Sequence, residues 1–428
     1  MADAPLDRCK FSRRKSPMMA LQYRKNIPRY ALLKFLGPRF PSLYTSGAAP
    51  LSLVDIPEPK LPTPQWVRIA PRLAGICGSD LATICAKGSP YLAPVTSMPF
   101  VMGHELVGRV TEVGGEVTTL GVGQRVVIHP ALGCKARGID PPCNLCRDHR
   151  DALCRNVTRG NVSEGIQIGY CRDTGGGFSQ GLVAHQTQVY PVPDEIDDRA
   201  AVLIEPFACA LHGALRVSLR ETDTAFVLGC GSIGLLTIAA LRAMGCRARI
   251  AAVAKYDHQR RHAQALGADV LLDATGPVRR RYANWAKALD AEVLDPELGK
   301  PTVLGGADAT FDCVASSQSI DDGVRFTRSA GTFVLVGMPG IPHGVDWTAI
   351  WFKELNVHAA YAYGPEHHAG GVKDTILLAI ELMREWGARL ADLVGPPYDL
   401  RDYRAAIASA LHAGRSGVVK TVFAIDKT

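Results

Sequence analysis

No run in this sequence approaches the roughly 18 consecutive apolar residues that a membrane-spanning helix needs; Gly, Pro or a charge interrupts every long apolar stretch. Nor does an apolar segment of signal-peptide length follow the basic cluster of Arg8, Lys10, Arg13, Arg14 and Lys15, so the paired arginines do not read as an export signal. Internal repeats and low-complexity tracts are absent as well. Without an export signal, a disulfide framework is not expected for the 12 cysteines, and the chain is expected in the cytoplasm. The basic cluster reads as a tail over residues 1–18, or as sequence upstream of a start at Met18 or Met19. The formal charge of +7, much of it in that tail, is modest for 428 residues and gives no reason to expect a nucleic-acid partner. No membrane partner is expected either.

What is present is a chain long enough for two domains, with an ordinary globular share of hydrophobic residues, 47%. From Trp66 to about Val192 it is rich in Gly and Pro. Short β-type runs stand out at Trp66–Ile69, Val107–Val110 and Arg125–Ile128, which predicts a β-rich domain of irregular barrel type. From about Ala200 the pattern changes. Strand candidates at Ala225–Leu228, Ile250–Val253, Val270–Leu272, Phe311–Val314 and Phe333–Val336 alternate with helix patterns such as Ile233–Met244 and His258–Leu266. That alternation predicts a doubly wound parallel sheet, an α/β domain. A helix from Asp374 to Trp386 and onward, and a strand over Val418–Ala424, close the chain.

Gly229-Cys230-Gly231-Ser232-Ile233-Gly234 follows the first of these strands and opens a helix. In that setting a GxGxxG is a dinucleotide turn. The first Gly permits the tight turn, the second lets the pyrophosphate approach the backbone, and the third lets helix and strand close on each other. The second strand should end on an acid that holds the ribose hydroxyls. Instead Lys255 follows Ala254, with His258, Arg260 and Arg261 soon after, while Asp257 is the nearest acid. Cations there would attract a 2′-phosphate, so NADP is favoured over NAD.

Two further constellations carry metal-ligand chemistry. Cys77-Gly78-Ser79-Asp80 and Gly103-His104-Glu105 supply a thiol, an imidazole and a carboxylate, all good zinc donors. Cys134, Cys143, Cys146 and Cys154 form a cluster around a CxxC, which fits a closed four-thiolate structural zinc.

These motifs, with Gly176-Gly177-Phe178, Glu205-Pro206, Leu266-Gly267-Ala268-Asp269 and Val336-Gly337, resemble in order and spacing the zinc-dependent medium-chain alcohol dehydrogenases, especially the sorbitol and threonine dehydrogenase-like branch, from about Met19 to the end. The resemblance implies a GroES-like catalytic domain over 19–200, a Rossmann domain over 201–357, and a return to the catalytic domain over 358–428. It implies a hydride exchanged between a small-molecule alcohol and NAD(P), and a dimer or tetramer. Catalytic zinc would be bound by Cys77 and His104, with Glu105 and Glu205 as direct, alternating or water-holding carboxylates. Asp80 would orient a ligand, and Ser79 would pass on the alcohol proton. Val336 and Gly337 would join Gly229, Gly231, Ser232, Ile233, Gly234, Lys255 and Arg260 around the cofactor.

Three features depart from the family's pattern. Ala82 stands where relatives often carry the outer histidine of the proton relay. The first cysteine of the loop is displaced, so Cys134 and Asp140 compete as the fourth structural ligand, thiolate being the better donor. The segment from Gly37 to Ala49 is longer than usual and has no functional reading. Two other readings of the chain stay open: a zinc-free quinone or enoyl reductase, and a non-catalytic protein that binds zinc and a dinucleotide.

Overall fold

The computed structural model describes residues 17–368 and 370–425; the basic residues Arg8 to Lys15 lie outside them. Strands β1 (Met18–Tyr23) and β2 (Leu51–Ile56) pair antiparallel, and helix α1 (Ile27–Leu36) and a 3-10 turn at Pro41–Thr45 lie between them. The run that begins at Trp66 becomes β3 (Trp66–Gly75), the central strand of the barrel. Helix α2 (Gly78–Ile84) follows it directly. Strand β4 (Glu105–Val113) pairs with β3 over nearly its whole length, with register shifts at Arg68/Ile69 and Pro71/Leu73. Pro71 has no N–H to give to a ladder, and a strand interior tolerates it at such an irregularity, where the sheet also bends. Strands β5 (Arg125–Ile128), β6 (Leu182–His185) and β7 (Val189–Pro191) extend the layer. Val67, Ile69, Leu106, Val110, Val126, Ile128, Leu182 and Ala184 fill one continuous core beneath it.

Helix α3 (Ile204–Ala214) leads into the second layer system. Its strands are β8 (Thr224–Leu228), β9 (Arg249–Ala254), β10 (Val270–Asp273), β11 (Ala307–Asp312), β12 (Thr327–Leu335) and β13 (Asn356–Ala359). All pair in parallel in the order β10-β9-β8-β11-β12-β13. Buried on both faces, β8 reads as the unbroken apolar run Ala-Phe-Val-Leu rather than as an alternation. Helices α4 (Ser232–Ala243) and α5 (Asp257–Ala265) are the crossovers after β8 and β9. The later helix α6 (Thr375–Ala391) starts at Asp374, whose side chain accepts from the Ile376 and Leu377 amides. Finally β14 (Tyr398–Asp399) and β15 (Val422–Ala424) return to the barrel, with Val422 opposite Gly75.

Two expected strands are shorter than the sequence suggested. The run Phe311–Val314 stops at Asp312, because the Asp312 carboxylate accepts from the Val314 and Ala315 amides and turns the chain. The run Val418–Ala424 is strand only from Val422, since Lys420 is bonded through its amide to Leu393 instead.

Candidate active site and metal centres

The parallel sheet reverses its direction of growth between β8 and β11, and ligands of such sheets bind in the crevice at the strand ends there. Gly229 sits in that crevice at φ +89°, a conformation that favours glycine. A Cβ on Gly234 would lie 1.7 Å from the Gly229 carbonyl oxygen, so only glycine lets α4 close on the turn. A Cβ on Gly231 would meet nothing within 4 Å. The N-terminus of α4 therefore faces open space, which is the cradle a pyrophosphate needs. Ile233 is in the first turn of α4, and the Ser232 hydroxyl donates to the Val419 carbonyl (2.9 Å). Across the crevice the Val336 and Gly337 amides both donate to the Asp312 carbonyl (3.0 and 2.9 Å). Lys255 is exposed just past the end of β9, its ammonium 5.4 Å from the centre of the Tyr256 ring. Arg260 points elsewhere and pairs with Asp273 at 2.8 Å.

The thiol, imidazole and carboxylate converge on the barrel side. Cys77 is the cap of α2, and its amide donates to Asp80 (2.9 Å), which holds the turn. Glu105 begins β4 opposite Gly75. A side chain at position 75 would stand 2.6 Å from the Glu105 carboxylate, so the missing Cβ makes the room. Ligand atoms of Cys77, His104 and Glu105 all lie within 4.8 Å of one another. His104 Nδ1 faces Asp80 Oδ1 at 3.7 Å, both buried and otherwise unpartnered, while Nε2 faces the Ser79 hydroxyl at 3.5 Å. Glu205, in the first turn of α3, stands outside that set. Its Oε1 accepts from the Tyr363 hydroxyl (3.2 Å) and the Cys209 thiol (3.7 Å).

Electrostatically the site wants a cation. Burial, then the neighbouring Glu105, pushes Glu205 up to about 7, and burial raises Asp80. Burial alone would lower His104, but Asp80, Cys77 and Glu205 outweigh it and hold the imidazole up to about 10. Lys420 ion-pairs with Glu105 and is buried with it. The buried carboxyls of Asp80, Glu105 and Glu205 thus share the site beside Cys77, and among the described residues His104 and Lys420 are the groups that balance them. In such a setting a divalent cation takes over from protons.

In a second group the thiols of Cys134, Cys143, Cys146 and Cys154 also lie within 4.8 Å of one another. Backbone amides point at the sulfurs: Cys143 N at Cys134, Cys134 N at Cys146 and Asn156 N at Cys154, at 3.3, 3.4 and 3.3 Å. Donors so aimed stabilise thiolates, and four convergent thiolates with no open position suit a closed tetrahedral ion. Asp140 is exposed and outside the group.

Three residues near the catalytic constellation escaped the sequence reading. Lys420 had a signal, a lone cation inside the apolar run Val418-Val419-Lys420-Thr421-Val422. Tyr363, which donates to Glu205, had none. Neither did Tyr170, whose hydroxyl bonds that of Thr83 (3.1 Å) and approaches Ser79. His212 pairs with Glu366 and His185 with Thr187, both away from the converging donors.

Residues 63–194 match the family described as alcohol dehydrogenase GroES-like domain, and residues 232–387 match zinc-binding dehydrogenase. The chain is 30% identical to (R,R)-butanediol dehydrogenase of Neisseria gonorrhoeae, over 74% of its own length and 82% of that protein. It is 28% identical to L-idonate 5-dehydrogenase of Vitis vinifera, over 70% and 74%. Among solved structures, 2R,3R-butanediol dehydrogenase from Bacillus subtilis superposes with a TM-score of 0.68 at 24% identity, covering 96% of this chain and all of that one.

Proposed function

The chain belongs to the zinc-dependent medium-chain alcohol dehydrogenases, in their sorbitol and threonine dehydrogenase-like branch, and from that premise we propose how its residues divide the work. It is an oxidoreductase that interconverts alcohols and carbonyls with NAD(P), built from a GroES-like and a Rossmann domain. The GroES-like domain takes residues 19–200 and 358–428, the Rossmann domain 201–357, and residues 1–18 form the tail. Cys77, His104 and Glu105 would hold the catalytic zinc, with the Glu205 carboxylate beside them. Cys134, Cys143, Cys146 and Cys154 hold the structural zinc. The single observation that carries this reading is the dipeptide Val419–Lys420: its first residue touches the dinucleotide turn through Ser232 and its second touches Glu105. Cofactor crevice and donor set therefore face each other across one strand of chain.

In this site zinc supplies Lewis-acid polarisation of the substrate oxygen, and the dinucleotide supplies or accepts the hydride. The protein does the rest. Asp80 fixes the tautomer and tilt of His104 so that Nε2 faces the donor set. Ser79 takes the alcohol proton. With Ala82 where an outer histidine would stand, Ser79 gives up its own proton as it accepts the substrate's, and the relay runs through the half-buried Tyr170 and Thr83 hydroxyls to solvent water. Lys420 ion-pairs with Glu105 and fixes the position of its carboxylate. The relatives named for butanediol and idonate favour a vicinal diol or polyol as substrate. A panel of such alcohols, followed by cofactor absorbance, tests this; two zincs per chain with no turnover on any alcohol or ketone would overturn it.

The cofactor is NADP, selected mainly by Lys255, because Asp273 already engages Arg260. Lys255→Asp should lower kcat/KM with NADPH roughly 10- to 100-fold and leave NADH little changed. A parent enzyme that prefers NADH would refute the assignment. The chain works in the cytoplasm, in keeping with eleven described cysteines that are all free of disulfides. It assembles as a homo-oligomer through β13, an open sheet edge where Val357 is exposed beside Trp347, Trp351 and Phe352. Sedimentation velocity should show a dimer or larger species that Trp351→Glu with Val357→Lys converts to monomer. A monomeric parent would refute this.

A further inference from the structure

Ten Lys and Arg and no Asp or Glu fall between Arg8 and Val54, so beyond Val54 the chain is close to neutral. The described half of that stretch leaves the barrel. Strands β1 and β2 are paired up to Tyr23 and Leu51, a register that a turn of about two to five residues could close. Residues 24–50 make a long excursion instead.

Asn26 caps α1 by accepting from the Arg29 amide (3.0 Å), and Leu33 is the one fully buried side chain of the helix. Gly37 lies against the Tyr44 ring, where a Cβ would stand 2.4 Å away. The other large apolar side chains turn outward: Phe35 is 79% exposed, Ile27 69%, Phe40 51%, Leu36 44% and Leu32 38%. At roughly 100° per residue, Ile27, Phe35, Leu32 and Leu36 share one half of the helix, and Arg29 and Lys34 stand at its two margins. Arg24, Lys25 and Arg39 are exposed at its ends. Arg24 donates to Gln22 and Arg29 to the Ala49 carbonyl, and neither acceptor carries a charge.

An apolar face of this kind rimmed by cations fits one cover well. We infer that α1 and the turn after it rest on an anionic phospholipid surface, with the apolar half at the headgroup boundary and the cations on the phosphates. A nucleic acid would engage the cations and leave Ile27, Phe35 and Leu36 in water. A second copy docked on the same face would bring like charges together. No described helix is long and apolar enough to cross a membrane, and a helix that lies on the surface does not need to be. The inference thus revises the expectation of no membrane partner, which rested on spanning length alone. It is independent of the catalytic reading.

The test is co-sedimentation of the full-length protein with phosphatidylcholine vesicles, with and without phosphatidylserine, at low and high salt. Binding should require phosphatidylserine and weaken with salt. Two variants, Phe35→Ser with Leu36→Ser, and Arg29→Glu with Lys34→Glu, should each lower vesicle affinity roughly tenfold or more while turnover and Tm hold. Replacing residues 25–49 by a short Gly-containing turn should abolish binding without loss of activity. Equal binding to both vesicle types, or variants that bind like the parent, would overturn the inference. So would RNA binding without vesicle binding, or a dimer that these variants dissolve.

Discussion

Exchanging Cys146 for serine should cost the protein one of two zinc equivalents and about 3–5 kcal/mol of stability, a fall of roughly 3–6 °C in Tm for a chain of this size. Arg137 beside the cysteine lobe is a fully buried cation. Its guanidinium donates to the carbonyls of Leu132, Arg159, Val162, Ser163 and Gly165, and so ties both ends of the cysteine lobe together. Burial pulls its charge down, while Cys171, Cys154, Glu164 and Cys134, in that order, hold it up. Four thiolates around one divalent ion would leave a net negative centre, and that centre would help compensate the buried arginine. Losing one thiolate weakens the metal and strips Arg137 of its counter-charge together. Cys171, buried nearby but outside the thiol cluster, is the control: its exchange for alanine should leave the zinc content at two. A Cys146 variant that keeps both zincs and the parental Tm would dismiss the structural centre.

What the sequence could and could not disclose follows from how local each feature is. The dinucleotide turn and the CxxC are local, and their spacing alone states the geometry. The parallel sheet was legible because buried strands such as Ala225–Leu228 must be apolar throughout, whatever their partners. Strand ends were less legible. Asp312 ends its strand with a side chain that bonds the next two amides, and an aspartate in a sequence does not announce which amides it will accept. Long-range pairings were silent. Arg260 and Asp273 meet across a crossover, so the apparent cation pair with Lys255 divides once the fold is known. Lys420 reaches Glu105 only because β15 folds back beside β3. The choice between Cys134 and Asp140 turned on the path of a loop that spacing does not fix.

Replacing Cys77 or His104 by alanine should remove the other zinc and lower kcat by about 10³-fold or more, while dinucleotide binding, read by fluorescence, changes little. The asymmetry follows from the layout. The proposed pyrophosphate cradle, Gly229, Gly231 and the N-terminus of α4, owes nothing to the metal donors. The reacting oxygen, in contrast, has no other electrophile to lean on among the described residues: His104 and Lys420 are the cations at the site, and Lys420 is committed to Glu105. Removing one donor of three also leaves Glu105 and Glu205 facing each other in a dry cavity. Burial and that repulsion already hold Glu205 up to about 7, so the variant site should fill with protons instead of metal. Asp80→Asn makes the complementary case. It keeps every proposed ligand but loses the carboxylate behind His104, and should weaken zinc affinity about 10- to 100-fold without abolishing turnover at saturating zinc. Full turnover in a Cys77 or His104 variant that has lost a zinc would place the chemistry elsewhere.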